Sequence, residues 1–314
     1  MPAHSKFFIN QGTAVTKSVT LEAFPYSTFV KNGELVEKDG VESVEWLRSL
    51  GVSNPADRYH SYLRELEQFK EFHGDEASTI KKFESFLNAN AELYELNRVR
   101  QALMQTDSQD YLDRLKKITQ GQPFRSVTAN DQGRDYLFEI SLAARFLNAG
   151  HDVILNQIAD VVADVNGRRL YIEAKRIKSH GKLSKRISEA NAQVRRRVAN
   201  DRSSKARGIV AVNITDLITP NTSPIIIHNE ASLKNKHSII FNGFIEENID
   251  EFDKGAHDKC LGALIESSWY GLISDNDSPR LFFCRGATFK QYKSSQSERI
   301  YVREFLPKLA NQFS

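Results

Sequence analysis

Apolar and polar positions alternate along some stretches of this chain and recur at helical spacing along others, which divides most of it into predicted elements. From Arg134 to Ala149 the run RDYLFEISLAARFLNA contains no Pro or Gly and ends at Gly150, predicting a helix. After it, His151 to Leu155 reads as a short strand, and Ile158 to Val165 with Arg168 to Ile177 as a β-hairpin. Leu183 to Ala199 reads as a helix whose buried stripe is Leu183, Ile187, Ala190, Val194 and Val198, and Gly208 to Ile214 (GIVAVNI) as a buried strand. Further on, Lys236 to Phe241, Leu261 to Ile273 and Arg280 to Thr288 read as strands that extend the sheet. A helix is predicted between the first two, near Asn242 to His257.

The amino-terminal third follows another pattern. Residues 13 to 37 alternate in places and carry a hairpin signal at Asn32-Gly33, while Pro55 to Phe72 and Ala77 to Ile118 have long helical periodicity. Tyr59, Leu63, Leu66 and Phe69 predict helices packed into a bundle. With 314 residues the chain is long enough for two domains. The expected division is an accessory region over 1–120, a linker over 121–131 marked by Gly121-Gln122-Pro123, and a second domain over 132–314.

The hairpin carries the most chemistry. Asn166-Gly167 supplies the two positive-φ positions of a type I′ turn, so Val165 should face Arg168 and Asp160 should lie opposite Glu173. Side chains alternate along a strand, which puts Glu173 and Lys175 on one face. Facing carboxylates repel unless a cation sits between them, and a divalent metal is the expected cation. On the preceding helix, Arg134, Ser141, Arg145 and Asn148 form a polar stripe, and Glu139 falls on the roughly opposite, apolar side with Tyr136, Ala143, Phe146 and Leu147. A carboxylate there needs a partner, either a nearby Arg or the metal site.

Charge sharpens the picture. The whole chain carries +3, yet from Arg168 to Arg207 fourteen Lys and Arg stand against Glu173, Glu189 and Asp201, a net of +11. A positive surface beside a metal-binding centre suits a phosphodiester substrate, because Lys and Arg neutralise backbone phosphates without reading sequence. The competing reading is a solvated basic helix face. Hydrophobic residues make up 40% of the chain and charged residues 26%, an ordinary soluble composition. No apolar run suits a membrane span, and MPAHSKFFINQG has no signal-peptide core, so a cytoplasmic location is expected. Two cysteines, Cys260 and Cys284, have no metal-ligand spacing, and the scattered histidines form no H-E-x-x-H motif.

Asp160, Glu173 and Lys175, with Glu139 on the helix before them, resemble the motif of the PD-(D/E)xK nuclease superfamily. The likeness covers roughly Gly133 to Val212, and Ala159 stands where many members have Pro. It implies an α/β fold, a restriction-endonuclease-like mixed sheet flanked by helices, here with a mainly helical amino-terminal accessory region. It also implies a metal site of Asp160, Glu173, the backbone carbonyl of Ala174 and Glu139, loaded with Mg²⁺ or Mn²⁺. Lys175 would orient or deprotonate the attacking water, and Gln193, on the helix after the E-x-K strand, would approach the active centre. Arg176, Lys178, Lys182, Lys185, Arg186, Arg195, Arg196 and Arg197 are the expected nucleic-acid contacts. The expected activity is that of a metal-dependent endonuclease acting on DNA, in restriction or phage defence, as a homodimer or with an accessory protein. A ribonuclease with the same core and a non-catalytic nucleic-acid-binding module are the alternatives.

Overall fold

The structure, a computed structural model, describes residues 21–23, 27–106, 109–123, 131–155, 159–219, 226–227, 229–273 and 280–310. Its amino-terminal part comprises β1 (Leu21–Ala23), β2 (Ser27–Asn32), α1 (Gly33–Ser49), α2 (Arg58–Lys70), α3 (Glu76–Leu103) and α4 (Gln109–Ile118). Then come α5 (Gln132–Asn148), β3 (Asp152–Ile154), β4 (Val161–Val165), β5 (Arg168–Arg176), α6 (Leu183–Asn200) and β6 (Arg207–Asn213). The chain continues through α7 (Thr215–Ile218), β7 (Ile226–Ile227), α8 (Glu230–Glu247), β8 (Cys260–Ile273), β9 (Arg280–Gln291) and α9 (Gln296–Leu309).

This is an α/β protein built on one mixed sheet. Its order is β1-β9-β8-β6-β5-β4-β3, with β2 also on β9 and β7 also on β8. β6 runs parallel to both β5 and β8, which requires the long crossover that α6 supplies, whereas β3, β4 and β5 form an antiparallel meander. The predicted order of helix, three strands, helix and strand is observed from α5 to β6, and β8 and β9 extend the sheet as expected.

Alternation along β5 divides the core between two faces. Leu170, Ile172 and Ala174 pack with α5 in a cluster that runs from Val44 to Leu309, so the amino-terminal helices share their core with the sheet. Tyr171 faces the other way, onto Leu183, Ile187, Ala190, Val194 and Val198 of α6, the predicted stripe. Gly208 permits this close approach, since a Cβ there would lie 2.2 Å from Val194 Cγ1. In the amino-terminal bundle Tyr59 and Leu66 are buried, Leu63 packs against the core, and Phe69 stacks on Phe86 with centroids 4.3 Å apart.

Several expectations need correction. Lys236 to Phe241 is part of α8 and not a strand, because Leu233, His237, Phe241 and Ile245 are buried at a spacing of four. The helix predicted near Asn242 to His257 is therefore the second half of α8, followed by a short 3₁₀ turn over Ile249–Asp253. Asn32-Gly33 is a strand-to-helix junction and not a hairpin: Val36, Val44 and Leu47 beyond it are buried at helical spacing, and β2 pairs with β9. The helical pattern of 77–118 is interrupted after Leu103. On α5 the polar stripe is inverted, with Arg134, Ser141 and Arg145 buried. Their charges are paired inside, Arg134 with Glu92 at 2.6 Å and Arg145 with Glu266 at 2.6 Å.

Residues 13–20 and 24–26 of the predicted alternating segment, residues 124–130 of the predicted linker, and Ile158 lie outside the described residues. The linker's flanks are anchored: the Pro123 carbonyl accepts from Arg134 at 3.0 Å and from Asn88 at 3.2 Å, and Asp131 caps α5 through the Arg134 amide. Among the described residues no helix is long and apolar enough to cross a membrane.

Candidate functional site

The turn between β4 and β5 has Asn166 at φ 52° and Gly167 at φ 72°, the left-handed pair that a type I′ hairpin needs. Asp164 Oδ1 accepts from the Gly167 amide at 3.0 Å and braces the turn. The ladder runs from Val165↔Arg168 to Val161↔Ile172, so the next step brings Asp160 to Glu173. Ala159 and Asp160 stand before the strand, which starts at Val161, and Asp160 substitutes its side chain for backbone pairing: its Oδ2 accepts the Ala174 amide at 2.8 Å. Lys175 Nζ then lies 3.6 Å from Asp160 Oδ2 and 3.8 Å from Glu173 Oε2. Two carboxylates and an amine thus meet at the end of β5, with Glu173 only 1% exposed and Lys175 16%.

Burial shapes their protonation. Glu173 is pushed up to about 7, first by burial and then by the Asp160 carboxylate, against the pull of Lys175 and Arg197. Arg197, on α6, donates from Nε to Glu173 Oε1 at 3.5 Å. Glu139, on α5, is pushed up to about 8 by burial and by Asp160, so it lies within electrostatic reach of the pair. Its direct partner is Arg114 of α4, which brings the amino-terminal region to the rim of the site.

The remaining candidates fall into two groups. Arg176 is almost buried, held by Asp216 at 2.6 Å and Asp135 at 3.3 Å, and Lys178 is half-buried, 3.7 Å from Asp135. Lys182, Lys185, Arg186, Arg195 and Arg196 are exposed, with Lys185 and Arg186 both reaching Glu189. At about 100° per residue, Lys182, Arg186, Gln193 and Arg197 line one stripe beside the buried face of α6, on the side where Arg197 meets Glu173. Gln193 is half-buried there, one turn before Arg197. Lys185 and Arg196, only about 20° apart around the helix, both border this stripe, whereas Arg195 points away from it.

Among the described residues no group of three or more His, Cys, Asp or Glu side chains is arranged to hold a metal. Mg²⁺ needs fewer, since it keeps much of its water and binds through one or two carboxylates. The hard oxygens of Asp160 and Glu173 fit that demand, with the Ala174 carbonyl in the same segment, while Glu139 is engaged by Arg114. Arg114, Asp135 and Asp216 were not foreseen. Asp135 lies four residues before Glu139 on α5, a spacing that could have marked it, but no local pattern announces Arg114 or Asp216. Comparison of the chain with protein-family models, with curated proteins and with solved structures finds no match.

Proposed function

We propose that this chain is a metal-dependent nuclease of the PD-(D/E)xK kind, a DNA endonuclease whose role is restriction or phage defence. The observation that carries this reading is the meeting of Asp160, Glu173 and Lys175 within 4 Å contacts at the end of two neighbouring strands, beside a basic helix. Asp160 and Glu173 would hold Mg²⁺ or Mn²⁺ with the Ala174 carbonyl. The ion, when bound, would supply Lewis acidity and neutralise charge on the phosphodiester. Lys175, already aimed between the carboxylates, orients the attacking water and holds positive charge beside the phosphate. The Ala174 amide fixes the Asp160 carboxylate, and Arg197 fixes Glu173. Lys182, Arg186 and Arg196 lie where they can follow a nucleic-acid backbone, whereas Arg176 is committed to Asp135 and Asp216.

The test is incubation of purified protein with supercoiled plasmid, linear duplex, single strands and RNA, each with Mg²⁺, Mn²⁺ or EDTA. DNA cleavage that needs the metal is expected. Asp160→Ala and Lys175→Ala should each lower its rate by ~10²-fold or more while leaving nucleic-acid affinity largely intact. Cleavage of RNA alone would transfer the reading to a ribonuclease. Because Lys175 already compensates both carboxylates, a binding module without catalysis is the second reading, and tight binding with no cleavage under any metal would favour it.

A further inference from the structure

The amino-terminal region reaches the candidate centre through α4. Tyr111, Arg114, Leu115 and Ile118 form the buried face of this helix, and Arg114 crosses to Glu139 of α5, which lies within electrostatic reach of both Asp160 and Lys175. α5 and α6 cover opposite faces of the sheet, because Leu170, Ile172 and Ala174 of β5 pack towards α5 while Tyr171 packs on α6. α6 meets the centre through Arg197 and Glu173, and α4 meets it through Arg114 and Glu139. A backbone that passes Asp160 therefore has α6 on one side and the rim made by α4 and α5 on the other.

One cation on that rim is held in place without being neutralised. Tyr136 stands one turn before Glu139 on α5, about 4.5 Å along the helix axis. Its half-buried ring takes two cations: Lys117 Nζ lies 4.7 Å from the centroid and the Arg114 guanidinium carbon 5.4 Å. Arg114 is buried and committed to Glu139, whereas Lys117 is half-buried and has no carboxylate within ion-pair distance among the described residues. An aromatic face restrains an ammonium without cancelling its charge, so Lys117 keeps a full positive charge at a defined position. The plain reading is a last-turn lysine that complements the dipole of α4, and it serves equally for Lys116. It does not account for the seat on Tyr136, and the exposed Lys116 points about 160° around the helix from Arg114, away from α5.

We propose that Lys117, seated on Tyr136, contacts a backbone phosphate of the nucleic acid on the side of the centre opposite α6. This role rests on the nuclease reading, and it gives the helices before residue 120 a part in holding the substrate. Successive phosphates of a strand advance about 3.4 Å along a duplex, so the group that Lys117 takes lies within about three nucleotides of the scissile one. An ammonium neutralises a phosphate as a point charge without reading sequence, and the contact adds affinity but no sequence preference.

Fluorescence anisotropy of the full chain with a labelled DNA duplex, over a salt series with EDTA present to prevent cleavage, tests it. Lys117→Gln should weaken binding roughly five- to tenfold at moderate salt and lower the slope of log affinity against log salt by about 1. Lys117→Arg keeps both the charge and the seat on the ring, and should retain the wild-type slope. Lys116→Gln removes the same charge on the far side of α4 and should leave affinity and slope almost unchanged. An unchanged slope in Lys117→Gln would overturn the proposal and leave the nuclease reading standing, and so would equal losses in Lys116→Gln and Lys117→Gln. A loss in Lys117→Arg as large as in Lys117→Gln would also overturn it, because the side chain would then act through packing and not through charge. A wild-type chain that binds no duplex would overturn the proposal together with the nuclease reading.

Discussion

Lys175 is the cation that keeps Asp160 and Glu173 compatible, so its removal is the most direct probe of what the two carboxylates are for. Lys175→Met leaves them facing each other across the hairpin, and stability should fall by roughly 1–3 kcal/mol, the cost of an uncompensated, largely buried charge. Asp160→Asn in the same background should restore it. Millimolar Mg²⁺ should do so as well, read as recovery of the thermal midpoint. Rescue by Asp160→Asn without rescue by Mg²⁺ would make the trio a structural ion pair and remove the metal from the site. His237 gives a second probe at this scale. It is fully buried between Ser267, 2.7 Å from Nε2, and the ring of Trp269, and burial lowers its pKa from the ordinary 6.5 to about 4. The unfolded chain therefore binds a proton there that the folded one refuses, and stability falls as pH drops from about 6.5 to about 4. The loss is on the order of 3 kcal/mol. Glu173 and Glu139, with raised pKa values, act in the opposite sense, so the informative quantity is the difference between wild type and His237→Gln across pH. Unfolding by urea at several pH values should show that difference confined to this window; a constant difference would place the protonation elsewhere.

Among the elements, the β5-α6-β6 crossover holds the site together, and its tightest contact is between Gly208 and Val194. A methyl at 208 would meet Val194 Cγ1 at 2.2 Å and the Tyr171 carbonyl at 3.1 Å. Gly208→Ala should therefore destabilise by ~1–3 kcal/mol, as overpacking does, and Val194→Ala should recover part of that loss in the double variant. Denaturant midpoints of the single and double variants measure the coupling; additive losses would mean that α6 is not seated there. The hairpin and α6 were legible in sequence because their determinants are local, a turn dipeptide and one apolar stripe. The faces of α5 were not. Its buried arginines find Glu92 and Glu266 at separations of 42 and 121 residues, and no window along the chain contains both partners. The same cause hid Arg114, which reaches Glu139 from a helix that sequence assigned to the accessory region. α8 was misread for another reason: His237-Ser-Ile-Ile-Phe241 is rich in strand formers, but the four-residue spacing of its buried positions shows only over a longer window.

For the molecule as a whole, the decisive property is how charge is divided between interior and surface. Some of the +11 of residues 168–207 is consumed internally: Arg176 by Asp135 and Asp216, Arg197 by Glu173, and Arg207 by Glu298 at 2.7 Å. The part left for a polyanion is the exposed α6 surface, and it is not uniform around the helix. Lys182, Lys185, Arg186 and Arg196 lie on or beside the stripe that leads to Glu173, whereas Arg195 points away. If a nucleic-acid backbone must pass the Asp160 centre to be cut, only the first group can neutralise its phosphates. Replacing Arg186 and Arg196 together by Gln should therefore weaken duplex binding across unrelated sequences and reduce the slope of log affinity against log salt by roughly 2, one per phosphate contact. Arg195→Gln, on the side turned away, removes one charge and should leave that slope almost unchanged. Fluorescence anisotropy over a salt series measures both. A slope change for Arg195→Gln of half that of the double variant would mean that the helix acts only through its net charge, and the backbone would then have no defined path to the carboxylates.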